Sequence, residues 1–252
     1  MRASLSRTLL EKAAIDNGFD LPLAADVGWL AFASTQAPLQ IWLSTAGEGL
    51  FVVALSRANV AAALGHATVK PRSLPQGAFV ALMVTSLPAL HQLVRRAFQL
   101  ARTLPDELLH RFEEATAGLP RATEVERLVV QRVGQDIFRT GLLEYWNGRC
   151  AVTGLGVSKL LRASHIKRWA DCETDAERLD VFNGLLLAPQ LDAAFDCGLM
   201  TVADDGAVIW SPNLAGSERE LLGATSSMEV RSLAPQHLPY LKWHRQWRFE
   251  RG

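Results

Sequence analysis

The chain has 252 residues, is 49% hydrophobic, and carries 26 Lys and Arg against 26 Asp and Glu, for a formal net charge of zero. That length allows one large or two small packed domains. Zero net charge argues against coating nucleic acid through bulk electrostatics but leaves a local basic patch open. No apolar run nears the roughly 18–20 residues of a membrane span, so no membrane partner is expected.

The opening "MRASLSRTLLEKAAIDNG" does not read as a secretory segment, because Glu11, Lys12 and Asp16 interrupt it. Residues 5–17 read as a short helix. "GWLAFAS", "LQIWLST" and "LFVVALS" read as three strands separated by turn residues. "SRANVAAALG" reads as a helix with Ser56 as N-cap and Gly65 as its stop. "GAFVALMVTS" is a further strand. Helical periodicity then takes over in "LPALHQLVRRAFQLARTL" and "PDELLHRFEEATAGL". The breakers Gly118 and Pro120 in "GLPRAT" mark a domain boundary, giving expected domains 1–118 and 122–252. "TEVERLVVQRVGQDIFRTGLLEYWNG" is a long helix with an expected interruption near Gly141, its Phe138, Leu142 and Trp146 facing a core.

Beyond it, "KLLRASHIKRW" reads as a strand, "DCETDAERLDVF" as a polar connection, and "NGLLLAP" as a second strand. "QLDAAFD" is a helix opening at Pro189, with Gly198 just past its end. "GLMTVADDGAVIWSP" reads as a hairpin around Asp205-Gly206. In the tail, Trp243, Trp247 and Phe249 are expected to clamp a helix onto the body. Cys150, Cys172 and Cys197 form an odd, scattered set without a C-x-x-C pair, which suits free thiols in a reducing cytoplasm. The fold class is α+β.

One stretch concentrates chemistry: His165, Asn183-Gly184, and Asp192 four residues before Asp196. A hairpin, a turn and a helix would account for them. A metal-dependent phosphodiesterase would as well. Phosphodiester hydrolysis needs an activated water, neutralised phosphoryl oxygens and a stabilised leaving oxygen. A neutral histidine supplies the first. Two carboxylates one helical turn apart repel each other, and a bound cation relieves that repulsion. Oxygen ligands favour Mg²⁺ or Mn²⁺ over Zn²⁺. Lys159, Arg162, Lys167 and Arg168 gather around the histidine.

"CAVTG", "LLRASHIKRW" and "ERLDVFNGLLLAPQLDAAFDCGLM", with the lead-in "VVQRVGQDIFRTGLLEYWNGRCAVTG", resemble the HNH endonucleases, the ββα-metal nucleases. The likeness is greatest to the branch found among bacterial restriction endonucleases. It covers about residues 122–212, with a weaker match in "YLKWHR". It implies an N-terminal mixed sheet and helix domain followed by a ββα-metal nuclease domain. It implies hydrolysis of DNA, leaving 5′-phosphate and 3′-hydroxyl ends, in defence against foreign DNA. His165 takes the position of the general base. Asn183 takes that of the asparagine that fixes the hairpin and orients the base or contacts the metal. Asp192 stands where the family's third letter is usually histidine, and Asp196 matches a further ligand. Ser164 stands where relatives place an extra ligand. Cys150 matches the first cysteine of zinc-stapled relatives, whereas Thr153 replaces its partner, so packing must hold this hairpin.

Lys167, Arg168, Arg162, Arg245 and Arg248 are the expected DNA contacts. The implied cofactor is a divalent metal, Mg²⁺ or Mn²⁺. The expected partner is DNA, with a homodimer left open. The first domain would read a target or a modification, with Trp29 and Trp42 either stacking on a base or filling a core. Two alternatives compete: a catalytically silent HNH-fold module for DNA binding or assembly, and an effector nuclease gated by a ligand.

Overall fold

The structure is a computed structural model that describes residues 2–24, 27–70, 73–120, 122–223 and 228–250. The chain is α+β and divides into two compact units, Met1–Leu104 and Pro105–Gly252.

The first unit opens with helix α1 (Arg2–Ile15) and is built on one antiparallel sheet. Its strands are β1 (Leu21–Leu23), β2 (Leu30–Ala33), β3 (Gln40–Gly47), β4 (Leu50–Leu55), β5 (Thr68–Val69) and β6 (Val80–Val84), in the order β1-β2-β3-β4-β6-β5. Helices α2 (Ala58–Leu64) and α3 (Leu87–Thr103) complete it. Ile41, Leu43, Val53, Leu55 and Leu82 are fully buried. Alternation sends their neighbours to the other face. There Trp42 lies opposite Ala31 and Ala54, and Trp29, Val52 and Ala81 join the same buried cluster. Both tryptophans are buried in this cluster, and Trp29 also lines a cavity of about 510 Å³ with Ser44, Thr45, Val52 and Met83.

Ser56 does not cap α2. Its hydroxyl accepts from the Gln40 amide instead, and Arg57 takes the cap position without a side-chain capping bond, its guanidinium donating to the Ala101 carbonyl. Ser86 does cap α3, accepting from the Ala89 amide. Strands β1 and β5 escaped the sequence reading because they are only two or three residues long, too short for alternation to register.

The second unit starts earlier than Gly118 suggests. Helix α4 (Pro105–Thr116) packs on helix α5 (Glu124–Tyr145) and belongs with it. Gly141, expected to interrupt α5, lies within the continuous helix. A Cβ there would stand 2.5 Å from the Leu108 side chain, so this glycine admits α4. Thr123 and Glu126 close a reciprocal capping box at the start of α5.

Strand β7 (Arg162–His165) pairs antiparallel with β8 (Gly184–Leu187), and helix α7 (Pro189–Asp196) follows. The connection between the strands holds helix α6 (Asp175–Arg178) and two 3-10 turns. Leu185, Leu186 and Leu187 are all fully buried, because α5 packs on β8 and α7 packs on β7. A strand covered on both faces reads as a continuous apolar run. A hairpin of β9 (Met200–Val202) and β10 (Val208–Trp210), helix α8 (Gly216–Leu221) and helix α9 (Leu238–Trp247) complete the unit. In α9 the buried anchors are Leu241 and His244; Trp247, expected in the clamp, is 65% exposed.

Among the described residues, no helix is long and apolar enough to cross a membrane.

Candidate active site

His165 ends β7, directly opposite Gly184. Its ring stacks on Phe138 of α5 at 3.7 Å between centroids and 13° between planes, and meets Trp169 edge-on. A Cβ on Gly184 would stand 2.6 Å from Phe138, so glycine here makes room for the ring under the histidine. His165 Nε2 lies 2.8 Å from the carbonyl of Arg178. A carbonyl only accepts, so Nε2 carries the proton and Nδ1 keeps its lone pair. Burial holds the imidazole down to about 4, so the ring is neutral throughout the neutral range.

The carbonyl that sets this tautomer is itself held. The Arg178 guanidinium donates to the carbonyls of Trp169 and Cys172 and to the Asp175 carboxylate. Asn183 is fully buried. Its Oδ1 accepts from the Lys167 amide at 2.8 Å, while Nδ2 reaches the carbonyls of Lys167 and Glu177 and the Cys172 sulfur. The side chain thus ties the end of β7 to the α6 connection. Asn183, expected to fix the hairpin or to contact the metal, is enclosed by these bonds.

Ser164 faces the other way, as alternation requires. Its hydroxyl donates to Asp192 on α7. Burial, then the charge of Asp196, raise the Asp192 carboxyl, while Ser164 and Arg162 oppose the rise. Asp196 is exposed. Among the described residues no three His, Cys, Asp or Glu side chains converge as a metal-binding group. Asp192 and Asp196, one turn apart on α7, would be the residues to hold a hard cation. Mg²⁺ is commonly held by one or two carboxylates and completed by water and substrate phosphate, and a cation here relieves the Asp192–Asp196 repulsion.

The basic residues divide. Arg162 and Arg168 are exposed, Arg168 pairing with Asp171. Lys167 is 13% exposed, is ion-paired to Glu177 and lies over Trp243. Arg245 bonds the Val202 carbonyl and Asp204, and Arg248 bonds the Asp196 carbonyl at 2.9 Å. Lys167, Arg245 and Arg248, also expected as DNA contacts, are half-buried and hold these bonds within the fold. The Cys150 sulfur accepts from the amides of Ala188 and Thr153, so hydrogen bonds hold the turn that relatives staple with zinc.

Residues 150–203 match the HNH endonuclease family model. This part of the chain is an HNH endonuclease domain. A comparison with curated proteins finds no match. HNH domains act as nucleases on nucleic acid and generally use a divalent metal. The match begins at Cys150 and ends just past β9, so it takes in His165, Asn183, Asp192 and Asp196.

His244 of α9 was not singled out in the sequence. It is buried and stacks on Phe195 at 3.9 Å and 8°, with Nε2 on the Phe195 carbonyl and Nδ1 on the Thr201 hydroxyl. The i, i+3 spacing of Leu241 and His244 on one helix face was the available signal.

Burial holds both His165 and His244 down to about 4. An unfolded imidazole titrates near 6.5, so between about 4 and 6.5 the unfolded chain binds more protons. Their contribution is complete above that window and lost as pH falls through it. Asp180, raised to about 6 by burial, and Asp192, also raised, work in the opposite sense and offset part of the loss. The net expected loss from pH 7 to pH 4 is on the order of 2–3 kcal/mol. Thermal melts across this range should show a falling melting temperature; a rise would contradict the neutral, buried histidines.

Proposed function

We propose that the chain is a metal-dependent DNA endonuclease, acting in the cytoplasm in restriction or defence against foreign DNA. The observation that carries this reading is His165. Its tautomer is fixed by the Arg178 carbonyl, its ring is neutral, and no described residue bonds Nδ1.

In this reading Nδ1 takes the proton of the attacking water. The imidazolium that forms keeps its Nε2–H on the Arg178 carbonyl, which accepts more strongly from a cation. Asn183 keeps the end of β7 and the α6 connection in register beneath the base. Asp192 and Asp196 would hold a Mg²⁺ or Mn²⁺ ion, which would supply charge neutralisation on the phosphate and at the leaving oxygen. His165 and Ser164, the partner of Asp192, point to opposite faces of the β7–β8 ribbon, so in this reading the reacting phosphate lies at the ribbon's edge. Arg162 and Arg168 are the exposed cations suited to flanking phosphates. The first unit would supply target or modification reading, and the assembly would be a monomer or homodimer.

The silent-module reading draws on one observation: Ser164 brings only a hydroxyl, already donated to Asp192. Metal titrations separate the two. Asp192→Asn keeps the side-chain shape but removes a charge. It is expected to raise the half-saturating Mg²⁺ concentration for plasmid nicking, with part of the rate recovered at high Mg²⁺. Asp192→His should keep activity and shift preference toward Co²⁺ or Ni²⁺. Identical metal curves for the wild type and both variants would remove Asp192 from the ligand set.

A further inference from the structure

The last carbonyls of a helix have no partner within it and are usually left to water or a cap. In α7 the carbonyls of Ala193, Ala194 and Phe195 accept from the amides of Cys197, Leu199 and Gly198, and the C-terminal segment adds further bonds to this cap. The Phe195 carbonyl lies 3.1 Å from His244 Nε2, the Asp196 carbonyl accepts from the Arg248 guanidinium, and the Gly198 carbonyl accepts from the Glu250 amide at 3.0 Å. The His244 ring also lies flat on Phe195, between the two carboxylates in sequence, and is anchored beyond by Thr201.

This bracing falls where α7 needs it. Asp196 is the last residue of the helix, where the macrodipole disfavours an anion. Asp192, one turn back, adds like-charge repulsion. Both effects favour fraying of the final turn, which would carry Asp196 away from Asp192. None of the three bonds uses a carboxylate oxygen of Asp192 or Asp196. The brace therefore fixes the backbone that carries the carboxylates and leaves those oxygens for another partner.

Building on the reading of Asp192 and Asp196 as a cation-holding pair, we propose that His244 and Arg248 are positioning residues that lock the last turn of α7 and so set the carboxylate pair for a hard divalent cation. Groups that orient metal ligands without touching the ion typically alter affinity by about 10–100-fold.

The test is direct Mn²⁺ binding to the full chain, followed by the electron paramagnetic resonance signal of free Mn²⁺. Wild type, Arg248→Ala, Arg248→Lys and His244→Leu are compared, with near-ultraviolet circular dichroism to check packing. Arg248→Ala and His244→Leu are expected to weaken Mn²⁺ binding by about tenfold or more, and Arg248→Lys to restore part of the loss. The pH dependence of cleavage at saturating Mn²⁺ should keep its wild-type shape, because His165 is untouched. Arg248 is half-buried, so Arg248→Ala carries the test if His244→Leu does not fold. Wild-type Mn²⁺ affinity in natively packed Arg248→Ala would overturn the brace and leave the carboxylate reading standing. Failure of the wild type to bind Mn²⁺ would overturn both.

Discussion

His165→Ala is expected to lower the single-turnover rate of DNA cleavage by about 10²–10⁴, the usual cost of losing a general base. DNA affinity should stay close to wild type, because the exposed cations Arg162 and Arg168 are unchanged. The variant also removes the ring stacked on Phe138, so a modest drop in melting temperature accompanies the loss. His165→Gln separates the two effects. Its amide can still donate to the Arg178 carbonyl, but it offers no basic nitrogen. Both variants should be comparably inactive, with His165→Gln the better packed. Cleavage at the wild-type rate by either would remove His165 from the chemistry.

Gly198→Val is expected to be the most destabilising single change in the HNH domain. Gly198 follows α7 with φ +79, a conformation that costs a β-branched residue about 1–2 kcal/mol or more. Space is the larger obstacle. A Cβ would meet the Arg248 carbonyl oxygen at far less than contact distance, and backbone cannot swing aside as a flexible side chain would. Displacing it also breaks the Glu250 amide bond to the Gly198 carbonyl. Strain and overpacking together suggest roughly 3–5 kcal/mol, or a melting temperature lower by about 10 °C. Thermal denaturation checks this. An unchanged melting temperature would show that the C-terminal segment does not pass over Gly198.

The ββα core was legible because its signals are local. "NGLLLAP" is a short apolar run bounded by Asn-Gly and Pro189, and Asp192 and Asp196 fall on a helix opened by that proline. What was missed depends on partners distant in sequence. Gly141 looks like a breaker until Leu108 fills the space above it. "DCETDAERLDVF" looks like plain polar linker, yet Thr174 caps a helix there, Glu177 takes Lys167, and Asp180 caps the turn that holds Asn183. Arg245 and Arg248 have the composition of a phosphate patch. Only the fold reveals that the carbonyls of Val202 and Asp196 claim them first. Asn183 carries the name-giving letter of the matched family, yet its side chain bonds the Lys167 and Glu177 backbone and the Cys172 sulfur.

The central claim is that a neutral His165 and a cation on α7 together hydrolyse DNA. The most direct measurement is conversion of supercoiled plasmid by the purified full chain in Mg²⁺ or Mn²⁺, beside the same reaction in EDTA and with His165→Gln. The account predicts nicked or linear DNA with 5′-phosphate ends in either metal with the wild type, and none in EDTA or with the variant. Equal cleavage with and without EDTA, or DNA binding with no cleavage in any divalent metal, would contradict it.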